Sequence, residues 1–199
     1  MRLIFIFLLL TTTAFGQTAY VDSINRHRDT YRADFLKPGN GPLKNEADLA
    51  ALRFFAPDFT YRVIATVQRT TNAEPFDMPT YSGKTSPYVS YAVLSFMLNG
   101  QSCQLTVFRS LRLATNPQYR DYLFLPFKDA TSGGETYSGG RYLDLRLGNI
   151  RDGKLLLDFN KAYNPYCAYS DGYSCPIPPA GNRLTVAINA GEMTYGRDH

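Results

Sequence analysis

Residues 88–109 read YVSYAVLSFMLNGQSCQLTVFR, and this stretch decides the fold. Tyr88 to Leu98 and Gln101 to Arg109 are runs rich in β-branched, aromatic and aliphatic residues. They flank Asn99-Gly100, the dipeptide best suited to a tight hairpin turn, where both central residues need positive φ. The pattern therefore predicts two antiparallel strands. Outward from it, Phe59, Tyr61, Val63, Ala65 and Val67 alternate with Thr60, Arg62, Ile64 and Thr66, as a half-buried strand would. Further strands are expected at Tyr122 to Phe127, Arg141 to Leu147, Leu155 to Phe159 and Arg183 to Ile188. Short strands divided by Gly, Pro, Asn and Asp clusters predict a mainly β fold, an antiparallel sandwich or partly closed barrel.

Ahead of the strands the period changes. Tyr20, Ile24, His27, Tyr31 and Phe35 share one face of a helix over 20–37, leaving Asp22, Arg26, Arg28, Asp29 and Arg32 largely on the others. Pro38-Gly39-Asn40-Gly41-Pro42 ends it. A shorter helix is expected from Glu46 to Phe54, capped by Asn45. Both helices should pack outside the sheet.

The first residues, Met1-Arg2, the apolar run Leu3 to Leu10 and the small residues Ala14 and Gly16, read as a signal peptide over 1–16 with cleavage near Gly16. Eight apolar residues span only about 12 Å as a helix, too short for a bilayer core. No cysteine follows the cleavage point to take a lipid. The expectation is an exported protein, periplasmic or secreted, with one globular β-rich domain over 17–199 and no membrane span after cleavage. Its oligomeric state is not legible.

The chain of 199 residues is 44% hydrophobic and 19% charged, a globular composition. Its 21 Lys and Arg against 17 Asp and Glu are scattered, with no basic stripe, so nucleic-acid binding is excluded. The two histidines, His27 on the helical stripe and His199 at the end, are too few for a multi-His zinc site or a Ser-His-Asp triad. No Walker loop, Gly-x-Ser-x-Gly elbow or EF-hand loop occurs. No metal or cofactor is expected. Cys103 falls on a strand face with Leu105 and Val107. Cys167 and Cys175 bracket an eight-residue step with Asp171-Gly172 turn chemistry, which in an exported protein predicts a disulfide.

Polar, glycine and aromatic residues concentrate in 126–192. The link Pro126 to Tyr142 carries Gly133, Gly134, Gly139 and Gly140. Arg141 falls on the same strand face as Leu143, Leu145 and Leu147, where a guanidinium needs a carboxylate or an anion beside it. Asp129, Glu135 and Asp158 are the candidate carboxylates. Tyr137, Asn160, Tyr163, Asn164 and Asn182, with Arg141, supply the rings and amides of a site for a polar small molecule or saccharide. The leading expectation is an exported binding or accessory protein with a polar cleft framed by loops 126–142 and 160–182. Two alternatives stand beside it. One is a hydrolase or lyase acting on a sugar or other polar molecule, using Asp129 or Glu135, Asp158 and Arg141 as its catalytic groups. The other is a structural or protein-interaction module.

Several runs also resemble a known family. Phe124 to Tyr137, Gly140 to Leu143, Leu157 to Cys167 and Cys175 to Leu184, through Ala190-Gly191-Glu192, are similar to the domain of unknown function 1684 family. The resemblance implies an uncharacterised bacterial or archaeal protein and covers most of the chain after the leader. It implies no substrate, reaction or catalytic residue.

Overall fold

The computed structural model describes residues 4–37, 39 and 41–197. The leader's first residues Met1 to Leu3, Pro38 and Asn40 of the helix-ending motif, and His199 lie outside the described residues.

Among the described residues eight strands form a single antiparallel sheet: β1 (Arg62–Arg69), β2 (Phe76–Pro79), β3 (Thr85–Leu98), β4 (Gln101–Ser110), β5 (Tyr122–Phe127), β6 (Arg141–Arg146), β7 (Ile150–Arg151) and β8 (Lys154–Asp158). Their order is β6-β5-β4-β3-β1-β8-β7, with β2 paired to the first half of β3. The sheet is not closed into a barrel. The β3–β4 hairpin forms the centre, with Asn99 (φ 50°) and Gly100 (φ 77°) both left-handed in its turn. A register shift between Ser90 and Ala92 puts Tyr91 out of step. The bulge lets Tyr88 and Ala92 point to opposite faces.

One face carries the main core: Leu94, Leu105, Val107, Leu123, Leu125, Phe127, Leu155 and Leu157 are all at most 1% exposed. Each contributes about 1.5–3 kcal/mol by leaving water. The layer that covers this face is not a second sheet. It is the C-terminal segment, whose Leu184, Val186, Ile188 and Ala190 are buried against the strands. The alternation read at Arg183 to Ile188 thus places side chains correctly but makes no strand. This segment touches the sheet through an isolated bridge of Lys128 with Arg183 and through Ala130, whose N–H donates to the Val186 carbonyl at 3.1 Å. Further along, its carbonyls are taken by an arginine side chain, which removes them from any ladder.

The helices lie outside the sheet as expected, with shifted bounds. α1 (Ile4–Phe35) runs on through the residues read as a leader. α2 (Glu46–Ala50) is one turn, capped by Asn45, whose side chain accepts from the Asp48 N–H at 2.9 Å. Phe59 to Tyr61 is a 3-10 turn that delays the start of β1, so Phe59 is exposed and packs edge-on against Tyr20 of α1. On α1, Ile24 and Phe35 are buried as the stripe predicts, but the two neighbours in its middle are exchanged: Arg28 is buried and His27 is exposed.

Candidate functional site

Arg141 enters β6 from Gly140, whose φ of 94° turns the chain; a Cβ there would stand 2.6 Å from the Phe127 carbonyl oxygen. The guanidinium is fully buried. Its Nη2 donates to Asp129 Oδ2 at 2.8 Å and to the Ile188 carbonyl at 2.9 Å, while Nη1 donates to the carbonyls of Ala190 and Glu192. Asp129 Oδ1 in turn accepts from the Thr131 N–H and hydroxyl and from the Ile188 N–H. The pair is closed on all these sides, and it fastens the C-terminal segment to the sheet.

The other residues singled out from the sequence are dispersed. Glu135 is exposed on the glycine-rich loop. Asn182 fills the gap where β4 and β5 share a single paired position: its amide accepts from the Thr106 N–H and donates to the carbonyls of Thr106 and Pro126. Asn160 donates to Tyr20, Asp58 and Asp158, tying α1 to the turn after β8. Asp158 is half-buried, with Oδ1 accepting from the Tyr20 hydroxyl at 3.0 Å. Asn164 donates its backbone N–H to the Glu192 carboxylate and its side-chain amide to the Met193 carbonyl. Tyr137 donates to the Cys167 carbonyl. Cys167 and Cys175 form a disulfide, and Cys103 is a buried free thiol.

Glu192, which the sequence marked only as the end of the family-like runs, is fully buried and accepts from Tyr169 (2.6 Å), Tyr31 (3.1 Å) and the Asn164 N–H (2.9 Å). Burial pushes its pKa up to about 7 against the pull of these donors.

The open feature lies on the sheet face opposite the main core. A groove of about 1230 Å³ runs between α1, the outer face of β5 and β6, and the disulfide-pinned loop 163–176. Aromatic rings line it without a break. Phe35 meets Tyr31 (4.9 Å between centroids), Tyr31 meets Tyr163 (6.1 Å), Tyr163 meets Tyr142 (5.8 Å), Tyr142 meets Phe124 (4.8 Å) and Phe124 meets Tyr88 (5.7 Å). Within this run sits exposed Asp144, whose Oδ1 accepts from both Tyr122 and Tyr163 at 2.7 Å. Burial, with the adjacent Asp144 charge, holds both phenols well above their usual range, so they stay protonated and keep donating.

Of the expected ligand-binding residues, Tyr163 lines this groove, as does Asp158 among the carboxylates. The loop 163–176 supplies one wall; residues 128–141 of the glycine-rich link supply none of the lining. The signal for the missed residues was present in the alternation of β5 and β6. Tyr122, Phe124, Tyr142 and Asp144 occupy the positions between the core residues, giving an aromatic outer face with one acid on it. Among the described residues no group of three His, Cys, Asp or Glu is placed to hold a metal ion, and no helix is long and apolar enough to cross a membrane.

An open antiparallel sheet, sealed on one face by an irregular C-terminal segment and grooved on the other beneath a helix, defines the architectural class. Residues 47–193 match the model of the family described as protein of unknown function (DUF1684), and the chain belongs to that family. The chain is also similar to the solution NMR structure of an uncharacterized protein from Haloarcula marismortui. The two are 38% identical with a TM-score of 0.68, over 90% of this chain and 96% of that one. Among curated proteins, none matches the chain.

Proposed function

We propose that the chain is an exported binding protein whose groove holds a polar, ring-bearing small molecule such as a saccharide. The observation that carries this reading is Asp144, held by two phenols within an unbroken run of aromatic rings. Rings offer flat contact area, and a fixed carboxylate accepts a ligand's hydroxyl hydrogens; together these orient a polar ring. The groove is roomy enough for a ligand of drug or disaccharide size. Export is supported by the Cys167–Cys175 disulfide, which an oxidising compartment maintains. It is compatible with the site, because the α1 residues that line the groove begin at His27, beyond the expected cleavage near Gly16.

Intrinsic tyrosine fluorescence tests the binding reading, since the chain has 15 Tyr and no Trp. Titration with neutral and acidic mono- and disaccharides should give a saturable response for at least one of them. Tyr163→Ala should weaken it by about tenfold or more, the loss of roughly 1.4 kcal/mol of contact. No saturable response to any sugar overturns the reading. Export is tested by cell fractionation and N-terminal sequencing: a mature chain starting near Gln17 supports it, and an uncleaved chain retained in the cytoplasm contradicts it.

A second reading is favoured by one observation: Asp144 and Asp158 both line the groove. Paired carboxylates there would serve a hydrolase or lyase. Turnover that is lost in Asp144→Asn and Asp158→Asn, with binding retained, would establish it.

A further inference from the structure

Arg28 is only 7% exposed, yet its Nε and Nη2 have no hydrogen-bond partner among the described residues. Its guanidinium carbon stands 4.8 Å from the centre of the Phe54 ring, which covers one face but satisfies no N–H. Buried guanidinium donors are ordinarily paired, so this one calls for an acceptor. Beside it is a small cavity of about 10 Å³, lined by His27, Arg28, Tyr31, Asn160, Lys161 and Tyr163 among others. That is room for about one water-sized atom. The cavity adjoins the aromatic groove: His27, Tyr31, Lys161 and Tyr163 line both.

The charges around it are mostly positive. Arg28 and Lys161 line the cavity with His27, and Arg32 shares the Phe54 ring at 5.1 Å, with Asp29 at 3.7 Å as its partner. The carboxylate whose charge acts on Arg28 is Asp158, whose Oδ1 already accepts from Tyr20 and Asn160.

We propose that this end of the groove is an anion subsite, in which Arg28, flanked by Lys161 and His27, receives one oxygen of a carboxylate carried by the groove's ligand. The inference rests on the groove being a ligand site for the identity of the rest of the molecule. The volume of the chamber limits how much of the anion enters it. A planar carboxylate can insert one oxygen into a chamber of this volume and leave its second oxygen to Lys161 and His27. The ligand class is therefore a polar ring compound bearing a carboxylate, with a uronic acid as the type.

His27 reports on the subsite. Desolvation, then the Lys161 and Arg28 charges, hold its pKa below the ordinary value, while Asp158 and Asp144 pull it upward. An anion seated among these cations must raise it. His27 and His199 are the only histidines, so each imidazole can be followed by proton NMR across a pH titration.

The experiment uses the chain with glucuronate, glucose, acetate or sodium chloride at matched ionic strength. Glucuronate should raise the His27 pKa by about half a unit or more, with His199 unmoved. Glucose should leave His27 where it is, and Arg28→Gln should abolish the glucuronate shift. Lys161→Ala, at an exposed position, should reduce the shift and guards against failure of the Arg28 variant to fold. Equal movement of His27 and His199, or a shift that survives Arg28→Gln, overturns the subsite. The two readings fail separately. If glucuronate perturbs the Tyr163 and Tyr122 resonances while His27 stays fixed, the subsite falls and the groove stands. If acetate moves His27 through Arg28 while no sugar perturbs the tyrosines, the groove reading falls and the anion subsite stands.

Discussion

The phenol of Tyr31 on α1 donates a 3.1 Å hydrogen bond to the carboxylate of Glu192, 161 residues further along the chain. The same phenol lies 2.9 Å from that of Tyr169. The helix that forms one wall of the groove is therefore clamped to the segment that seals the opposite face of the sheet. Tyr31→Phe removes one of three donors from a buried carboxylate and should cost about 1–2 kcal/mol, read by chemical denaturation. An unchanged midpoint would show that the contact does not hold the helix.

Glu192 should give the stability of the protein a pH dependence of definite sign. Its folded pKa of about 7 lies above that of an exposed glutamate, so the folded state binds the extra proton. The contribution is fully present below about pH 4.5 and falls as pH rises through 7, by on the order of 3 kcal/mol in all. Denaturation curves between pH 4.5 and 8 should show that decline, and Glu192→Gln should flatten it. A variant with the same pH profile as the wild type would place the titration elsewhere.

The Arg141–Asp129 pair should behave as a buried unit. Asp129→Asn leaves a fully buried guanidinium without its counter-charge and should destabilise the fold by roughly 3–5 kcal/mol. The double variant Asp129→Asn with Arg141→Met should be less destabilised than additivity of the two single variants requires. Additive losses in the double-mutant cycle would show that the two side chains are not coupled.

The Cys167–Cys175 bridge closes a short loop at the wall of the groove. Cys175→Ser should cost about 2.5 kcal/mol by the loop-entropy relation and should loosen Tyr166 and Tyr173, whose rings meet at 5.2 Å. Thermal melting with and without reductant checks the first effect. Equal melting points would show that packing alone holds the loop.

Much of the sheet was legible because its signals are local. Asn99-Gly100 fixes a hairpin by backbone preference alone, and β5 agrees with its apolar run to the residue. The face of β8 followed from alternation, with Leu155 and Leu157 buried along with Phe159 just beyond its end. What escaped notice depends on contacts far apart in sequence. Alternating Leu184, Val186 and Ile188 looks like a strand, but its backbone meets residues 128–130 only through single bonds, and from Ile188 onward Arg141 takes carbonyls that a ladder would use. The exchange of His27 and Arg28 on α1 comes from Phe54, which offers a ring for a guanidinium to lie on. The need of Arg141 for a carboxylate could be read from its strand face; that the partner is Asp129, and that the pair faces the core and not a cleft, could not. The groove itself was half visible. Tyr163 and the loop that carries it stood out by composition, whereas Asp144 needed the pairing of β5 with β6 to bring Tyr122 beside it.

Chemical-shift mapping of the isotopically labelled chain against glucuronate tests most directly whether the face between α1 and the sheet is the ligand site. Concentration-dependent shifts should cluster on Tyr122, Tyr142, Asp144 and Tyr163, extend to His27 and Arg28, and spare the buried Arg141–Asp129 pair. Shifts that cluster instead around the glycine-rich loop at Gly133 and Glu135, or none at all with any acidic or neutral sugar, would contradict it.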